Sequence, residues 1–174
     1  MSEPQHIRIR HEQPGDAGGI RAVNDGAFGQ PEESRIIDAV RAAGHVTVSL
    51  VAEEGLRIVG HILFTPMTLQ PSVATLRLAA LGPMAVAPDR QRMHLGTALV
   101  RTGLAECLRA GMQAVVVIGH PEFYRRFGFG PASAFGLRSP FEVPDEVFMV
   151  AELVPSALKG AAGQVEYVPQ FGGA

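Results

Sequence analysis

The sequence predicts a single α/β domain with a central mixed β-sheet and helices on both faces. An apolar strand, a loop, a helix and a second apolar strand follow one another between residues 76 and 119. Such a βαβ unit makes the two strands parallel neighbours with a right-handed crossover. Earlier in the chain, two β-branched runs joined by Glu54-Gly55-Leu56 predict an antiparallel hairpin. The sheet is therefore expected to contain both kinds of strand pairing.

The first part of the chain predicts one strand and two helices. Isoleucines alternate with arginines over residues 7–10, which is the period-2 pattern of a half-buried strand. Asp16 is placed to cap a helix that runs to about Phe28. A second helix is expected to begin near Pro31, with carboxylates in its first turn, and to end at Gly44.

The second half predicts a long helix, a short helix and a last strand. His120-Pro121 begins the short helix, which ends at Gly128, and residues 148–154 alternate as the last strand. No linker or repeat divides the chain, so we predict one domain over residues 1–174, with a core at about 5–154 and a C-terminal extension. The long helix is expected to hold these apolar residues on its inner side: Leu95, Leu99, Leu104, Cys107 and Leu108.

The stretch from Leu81 to Gly96 combines an interrupted strand with a loop that runs into a helix. Gly82-Pro83 predicts a bulge or local splaying, because proline lacks the ladder donor and glycine weakens a strand. The loop delivers unpaired backbone N–H groups to the helix start, where a phosphate can bind. A splayed strand beside a phosphate loop predicts a slot for a long phosphorylated ligand.

Composition argues against several classes of function. The apolar fraction of 47% and the charged fraction of 18% are those of a globular protein. A net charge of −2 favours neither a nucleic acid nor a membrane surface as partner. The single cysteine, Cys107, is interpreted as a small buried hydrophobe, and the absence of an internal disulfide or an apolar leader predicts a cytoplasmic protein. The six histidines lack metal-ligand spacing, so no metal site is predicted.

Three motifs in this order of elements resemble the GNAT superfamily of N-acetyltransferases. Gln91 to Gly96 occupies the family's loop pattern Gln/Arg-x-x-Gly-x-Gly/Ala, and Tyr124 to Phe129 looks like its Tyr-x-x-x-Gly-Phe. The segments GHPEFYRRFGFGPASAFGL and EVPDEVFMVAEL are similar to a bacterial subgroup of predicted acetyltransferases usually called YhbS-like. The resemblance covers nearly the whole chain. It implies direct transfer of an acetyl group from acetyl-CoA, as co-substrate, to the primary amine of a small molecule or a protein.

The resemblance also implies where the coenzyme binds. Backbone groups of the interrupted strand would pair with the pantetheine amides as a substitute strand, and one N–H would face the thioester oxygen. The loop N–H groups and the Arg92 side chain would bind the pyrophosphate. The expected coenzyme-binding residues are Met84, Ala85, Val86, Gln91, Arg92, Met93, His94, Leu95, Gly96 and Thr97.

His94 departs from the family's loop pattern, since it stands where the first loop glycine is expected. Glycine there allows open dihedrals and close approach of the backbone to pyrophosphate. We expect His94 to keep helical φ and ψ while still presenting its N–H. We also hypothesise that its imidazole adds a donor to a phosphate.

Tyr124 is the candidate catalytic acid. A thiol has a reference pKa of about 8.5 and a phenol of about 10, so tyrosine can donate a hydrogen bond or a proton to departing sulfur and stay neutral at pH 7. The alternative is a core aromatic residue in the phenylalanine-rich stretch around it. No general base is assigned. Residues that qualify by type only are Glu53, Glu54, His61 and His120.

Two other functions remain open. A non-catalytic acyl-CoA-binding or sensor module could share the fold, and the departure at His94 favours it. An enzyme acting on a nucleotide is disfavoured, because no Lys-Ser/Thr follows the loop and the GxGxxG pattern is absent.

The acidic residues Glu32, Glu33 and Asp38 are interpreted as a solvated helix face, with attraction of a cationic amine as the alternative. Arg125-Arg126 is also interpreted as a solvated face, with contact to the coenzyme's phosphates as the alternative. The apolar last strand is compatible with a homodimer.

Overall fold

The structure is a computed structural model that describes residues 6–73 and 75–172. The ends of the predicted domain, residues 1–5 and 173–174, lie outside the described residues. Over the described part, the chain forms nine β-strands and four α-helices. The strands are β1 (Ile7–His11), β2 (Val48–Glu54), β3 (Arg57–Gln70), β4 (Leu78–Val86), β5 (Ala114–Ile118), β6 (Gly130–Pro131), β7 (Leu137–Arg138), β8 (Phe148–Glu152) and β9 (Gly163–Glu166). The helices are α1 (Ala17–Phe28), α2 (Glu32–Ala42), α3 (Leu95–Arg109) and α4 (Pro121–Tyr124).

The strands form one mixed sheet in the order β1-β2-β3-β4-β5-β8-β6. β4 and β5 run parallel through residues 78–81 and 114–117, whereas β2 and β3 form an antiparallel hairpin. The segment after residue 154 returns to the sheet, since β9 pairs with the end of β3 and β7 pairs with β9. The predicted mixed sheet and its parallel neighbours are confirmed.

Helices cover both faces of the sheet, as predicted. On one face, α1 and α2 pack Ile20, Ile37 and Val40 against Val51 and Leu63. On the other face, α3 covers the centre of the sheet. The core beneath α3 includes Leu50, Ile62, Phe64, Leu99, Val100 and Cys107. Burial raises the pKa of the Cys107 thiol to about 12, so this thiol acts as a packing group, in line with its interpretation as a buried hydrophobe.

Two local expectations were wrong. Asp16 occupies the N-cap position of α1, but its side chain makes no capping hydrogen bond, because its carboxylate accepts hydrogen bonds from the Gln13 N–H (2.6 Å) and from the Arg10 guanidinium (2.7 Å). Leu108 is 48% exposed. The buried stripe of α3 is centred on residues four apart, including Gly103, where a side chain would collide with the Phe64 ring. This close approach turns Leu108 away from the sheet.

A buried polar chain connects α1 and α2 to the sheet. The side chain of His61, on β3, is fully buried. The Asn24 amide donates to its Nδ1 (3.2 Å), and its Nε2 lies 3.0 Å from the Ser49 hydroxyl. That hydroxyl donates to Glu12 (2.9 Å), which forms a bidentate ion pair with Arg41 on α2. The donors and acceptors match when His61 is neutral and carries its proton on Nε2.

Protonation of His61 is expected to destabilise the fold as the pH falls. Burial lowers the pKa of His61 to about 4, whereas an unfolded histidine has a pKa of about 6.5. The unfolded chain therefore takes up the proton first. The stability contribution is complete above about pH 6.5, and the free energy of unfolding should fall by about 2–3 kcal/mol by about pH 4.5.

Urea unfolding between these two pH values measures the effect in wild type and in His61→Gln, which keeps one donor and one acceptor. The variant should show a flatter pH dependence, and the matched control His45→Gln should retain the wild-type slope. Glu12 and Asp16 have pKa values lowered by their arginine partners and by other hydrogen bonds. The stability that these two carboxylates contribute is therefore lost mainly below about pH 4.5. An unchanged slope in His61→Gln would contradict the assignment.

Candidate active site

A cavity of about 800 Å³ opens where β4 and β5 separate. Pairing between these strands ends at Leu81 and Val117, and β4 continues through residues 82–86 beyond that point. The register with β3 shifts at the same place, so residues 82 and 83 lie opposite the single residue Leu63. This is the predicted bulge, and it leaves a slot open beside the second half of β4.

The cavity is lined from both faces of the sheet. The starts of α3 and α4 contribute from one face, and the end of α1 and the first turn of α2 contribute from the other. The lining residues are Phe28, Glu33, Leu81, Gly82, Pro83, Met84, Val86, Arg90, Gln91, Arg92, His94, Leu95, Gly96, Thr97, Val117, Ile118, Gly119, His120, Phe123, Tyr124 and Arg126.

The backbone of β4 presents hydrogen-bonding groups to the slot. The Ala87 N–H donates to β3 over 2.8 Å, and the backbone groups of successive residues in a strand alternate in direction. The groups of Ala85 therefore also point toward β3, whereas those of Met84 and Val86 point into the slot. The Val86 carbonyl accepts a hydrogen bond from the Gln91 amide (3.0 Å). Both groups of Met84 and the Val86 N–H are left facing the slot.

The loop after β4 delivers the amino terminus of α3 to the cavity. The first helical hydrogen bond runs from the Ala98 N–H to the His94 carbonyl (3.1 Å). The N–H groups of Leu95, Gly96 and Thr97 therefore have no partner inside the helix. A helix start of this kind attracts an anion, because its free N–H groups carry the positive end of the helix dipole.

Ion pairs hold this loop against the sheet. Arg90 pairs with Glu54 at 2.7 Å, and Asp89 pairs with Arg57 at 2.8 Å. The guanidinium of Arg90 is therefore engaged in anchoring the loop. Arg92, by contrast, forms no ion pair within residues 6–73 and 75–172, and it lines the cavity.

His94 adopts a left-handed backbone, so the expectation of helical dihedrals was wrong. Its φ is 60° and its ψ is 17°, and Arg92 has a φ of 64°. This region costs a residue with a side chain about 1–3 kcal/mol, whereas glycine adopts it without a steric penalty. The loop thus follows the path that the glycine of the family's loop pattern would allow.

Tyr124 belongs to the aromatic core and also borders the cavity. It is 8% exposed, and its ring makes edge-on contacts with Phe123 and Phe129, with centroids 4.9 and 5.6 Å apart. A Cβ at Gly119 would collide with the ring, so this glycine lets the ring pack at the end of β5. Burial raises the pKa of Tyr124 to about 12. The phenol is therefore a neutral hydrogen-bond donor at physiological pH.

Arg126 also borders the cavity, although the sequence favoured a solvated face. Its guanidinium donates to the Thr97 hydroxyl (2.6 Å) and lies 5.1 and 5.3 Å from the ring centroids of Phe123 and Phe127. It adds a positive charge beside the start of α3. Local periodicity could not show this, because the contact exists only once α4 lies next to α3 in the fold.

Most of the coenzyme residues proposed from sequence line the cavity, but two do not. Ala85 is buried, and its backbone groups point toward β3. Met93 is 56% exposed and lies outside the lining. The proposed residues that do line it are Met84, Val86, Gln91, Arg92, His94, Leu95, Gly96 and Thr97, together with Tyr124.

The four side chains that qualified as bases are separated by the structure. His120 borders the cavity. His61 is enclosed in the buried polar chain, Glu53 pairs with Arg8 and Arg10, and Glu54 pairs with Arg90. Of these four candidates, His120 alone lines the cavity.

Among residues 6–73 and 75–172, no group of three or more His, Cys, Asp or Glu side chains is placed to hold a metal ion. No helix in the same part of the chain combines the length and apolarity needed to cross a bilayer.

Comparison with known proteins gives a family match and relatives that align with most of the chain. A family model described as an acetyltransferase (GNAT) domain matches residues 8–132. The chain is 34% identical to the uncharacterized N-acetyltransferase YhbS of Escherichia coli K12 over 165 residues, which cover 94% of this chain and 97% of YhbS. It is also 34% identical to the uncharacterized N-acetyltransferase YjhQ of the same strain over 144 residues, 81% of this chain and 80% of YjhQ.

Solved structures show the same fold with coenzyme bound. The crystal structure of Escherichia coli YhbS in complex with CoA superposes with a TM-score of 0.91 at 31% identity, covering 98% of this chain and 94% of that one. A GNAT family acetyltransferase from Brucella melitensis in complex with acetyl-CoA gives a TM-score of 0.80 at 35% identity, covering 97% and 99%.

Replacing His94 by glycine should relieve backbone strain. His94→Gly is expected to be more stable than His94→Ala by about 1 kcal/mol, because alanine loses the imidazole but keeps the Cβ that disfavours a positive φ. Urea unfolding measures the difference. The matched control is Met93→Gly, next to it on the loop and without a positive φ, which should give no gain.

Acetyl-CoA affinity measured on the same variants tests the imidazole itself. Weaker binding by both His94 variants would support the hypothesis that it donates to a phosphate, and tighter binding by His94→Gly would show that it obstructs one. Equal free energies of unfolding for His94→Gly and His94→Ala would show that the positive φ at residue 94 is not strained.

Proposed function

The chain belongs to the GNAT family of acetyltransferases, and from that membership we propose that it transfers the acetyl group of acetyl-CoA to a primary amine. The observation that carries the proposal is the slot between β4 and β5, which leads to the unpaired N–H groups at the start of α3. The thioester arm and the diphosphate of the coenzyme need these two surfaces side by side. The relatives solved with CoA and with acetyl-CoA support it.

In this proposal the coenzyme is held at two places. The free N–H groups of residues 95–97 bind the pyrophosphate, with Arg92 and Arg126 supplying positive charge. The backbone groups of Met84 and Val86 that face the slot pair with the pantetheine amides, as an added strand would. For Arg126 this adopts the alternative to a solvated face that the sequence left open, and its support is the hydrogen bond from its guanidinium to the Thr97 hydroxyl.

The proposed reaction is a direct attack without a covalent enzyme intermediate. The amine nitrogen attacks the thioester carbonyl carbon, a C–N bond forms, and the C–S bond breaks. The nitrogen loses one proton and the sulfur gains one, so CoA leaves as its thiol. A backbone N–H of β4 beside the bulge stabilises the oxyanion, and removing a donor of this type commonly costs about 3–4 kcal/mol.

Tyr124 is proposed to assist the departing sulfur. A thiol has a reference pKa of about 8.5, and burial raises the pKa of Tyr124 to about 12. Because the phenol is then the weaker acid, it stabilises the developing thiolate mainly by donating a hydrogen bond. Any proton that it passes to sulfur is replaced by the one that the amine releases to solvent.

The non-catalytic sensor alternative loses the feature that favoured it. It rested on His94 replacing a loop glycine, yet the backbone at His94 takes the conformation that glycine would take. The loop therefore follows a path that is open to glycine, and the substitution gives no reason to separate binding from turnover.

Arg126→Ala is expected to weaken binding of acetyl-CoA by about 10- to 100-fold, because it removes a charge-assisted hydrogen bond to a phosphate. Isothermal titration calorimetry with CoA and acetyl-CoA measures the dissociation constants. The matched control is Arg125→Ala, which removes the same charge from the neighbouring residue outside the cavity lining and should change affinity less than about twofold. No heat from wild type with either coenzyme at millimolar concentration would overturn the proposed function.

Tyr124→Phe should reduce kcat by about 100-fold or more and leave the affinity for acetyl-CoA nearly unchanged, because it removes only the hydroxyl that assists the leaving group. Thiol release in the presence of an amine panel measures kcat. Tyr167→Phe is the matched control, since Tyr167 is the other tyrosine of the chain, has a pKa raised to about 12 by burial, and lies outside the cavity lining. An unchanged kcat in Tyr124→Phe would remove this residue from the mechanism.

A further inference from the structure

We propose that Glu33 determines acceptor specificity by binding a positive charge on the acceptor that is separate from its reacting amine. The inference rests on the proposed function, because it assigns a substrate class to the same cavity. The acceptor it predicts is an amine with a second amino group, protonated at neutral pH and joined to the first through an apolar spacer.

Charge is distributed unevenly along the cavity. Among the described lining residues, Glu33 is the one carboxylate, whereas the cationic side chains gather near the loop and the start of α3. Arg90 is already paired with Glu54, and Arg92 and Arg126 face the proposed pyrophosphate site. Once the phosphates of the coenzyme neutralise Arg92 and Arg126, Glu33 carries the remaining charge of the lining. A cation is favoured there over an anion.

The acidic residues near Glu33 are not equivalent to it. Asp38 is engaged by Arg21 and Arg41, at 2.9 and 2.8 Å. Glu32 precedes Glu33 on α2, but it is exposed and lies outside the cavity lining. The structure therefore selects Glu33 from the three carboxylates that the sequence offered as a possible cation site.

The corner between α1 and α2 holds Glu33 in place. The Gln30 amide donates to both carboxylate oxygens of Glu33, at 2.9 and 3.2 Å. The Ser34 hydroxyl donates to Asp25 on α1 (2.6 Å), which fixes the first turn of α2 against α1. The carboxylate is thus oriented before a ligand arrives, which reduces the entropy lost when it binds a cation.

Phe28 supplies apolar surface in the cavity that Glu33 lines. It is the last residue of α1, is 39% exposed and lines the same cavity. A hydrocarbon spacer on the acceptor would cover this ring and remove apolar area from water. Glu33 and Phe28 together therefore fit an ammonium group attached to an alkyl chain.

The charge that Glu33 binds should not be that of the reacting amine. A carboxylate close to an amine favours the protonated form, and a protonated amine has no lone pair for attack on the thioester. Glu33 lies on the corner of α1 and α2, whereas Tyr124 ends α4 beside β5. Binding a second ammonium at the corner leaves the first nitrogen free to lose its proton at the thioester.

The test compares 1,5-diaminopentane with pentylamine, which has the same alkyl chain and lacks the second charge. With acetyl-CoA, the wild-type kcat/KM for the diamine should exceed that for the monoamine by about tenfold or more. Glu33→Gln should abolish this preference, because it lowers kcat/KM for the diamine to that for the monoamine. The matched control Glu32→Gln changes the net charge equally and should keep the preference.

Binding to the CoA-loaded protein gives a readout that does not require turnover. Calorimetry should show tighter binding of the diamine than of the monoamine in wild type, and no difference in Glu33→Gln. If neither amine released thiol from acetyl-CoA while this binding preference persisted, the proposed function would be wrong and the role of Glu33 would stand. A wild type without preference, or an equal loss on both amines in Glu33→Gln, would overturn the inference.

Discussion

The separation of β4 from β5 is the constraint on which the site depends. Neighbouring strands normally satisfy each other's backbone groups, and here that pairing stops at Leu81 while β4 continues to Val86. The bulge at residues 82–83 makes this possible by shifting the register with β3 at the same point. The backbone N–H and C=O groups that a neighbouring strand would have paired are left free to bind a ligand. The fold therefore offers an extended ligand the same hydrogen bonds that it would offer a strand.

The slot keeps its shape because the layers on both faces are fixed to the sheet. On one face, Gly103 brings α3 against the ring of Phe64, which sets the position of the helix start. On the other face, the polar chain through His61 and Asn24 holds α1 and therefore the corner that carries Glu33. The start of α3 and the corner that carries Glu33, at which the phosphates and the acceptor are proposed to bind, are thus positioned by contacts outside the cavity.

Sequence patterns were sufficient where the controlling interactions are local. Alternation, turn residues and the Gly82-Pro83 interruption predicted β1 to β5, β8, the hairpin and the bulge, because each depends on residues close in the chain. They did not predict the short strands β6, β7 and β9. They did not give the direction of the Ala85 backbone, which depends on the register with β3, or the exposure of Leu108, which depends on how closely α3 approaches Phe64. Arg126 and Glu33 needed the same long-range information, since α4 and the α1–α2 corner reach the cavity only in the folded chain.

In the loop before α3, His94 stands where the family's loop pattern has a glycine. Two residues with side chains, Arg92 and His94, hold positive φ angles there. Glycine would adopt them without penalty, but it would also leave the loop more conformations in the absence of a ligand. In this chain the pairs Arg90–Glu54 and Arg57–Asp89 fix the approach to the loop, and Gln91 bonds it to the end of β4. Strained residues persist only where their surroundings over-determine them, so these contacts would keep the N–H groups of α3 in position before any phosphate binds.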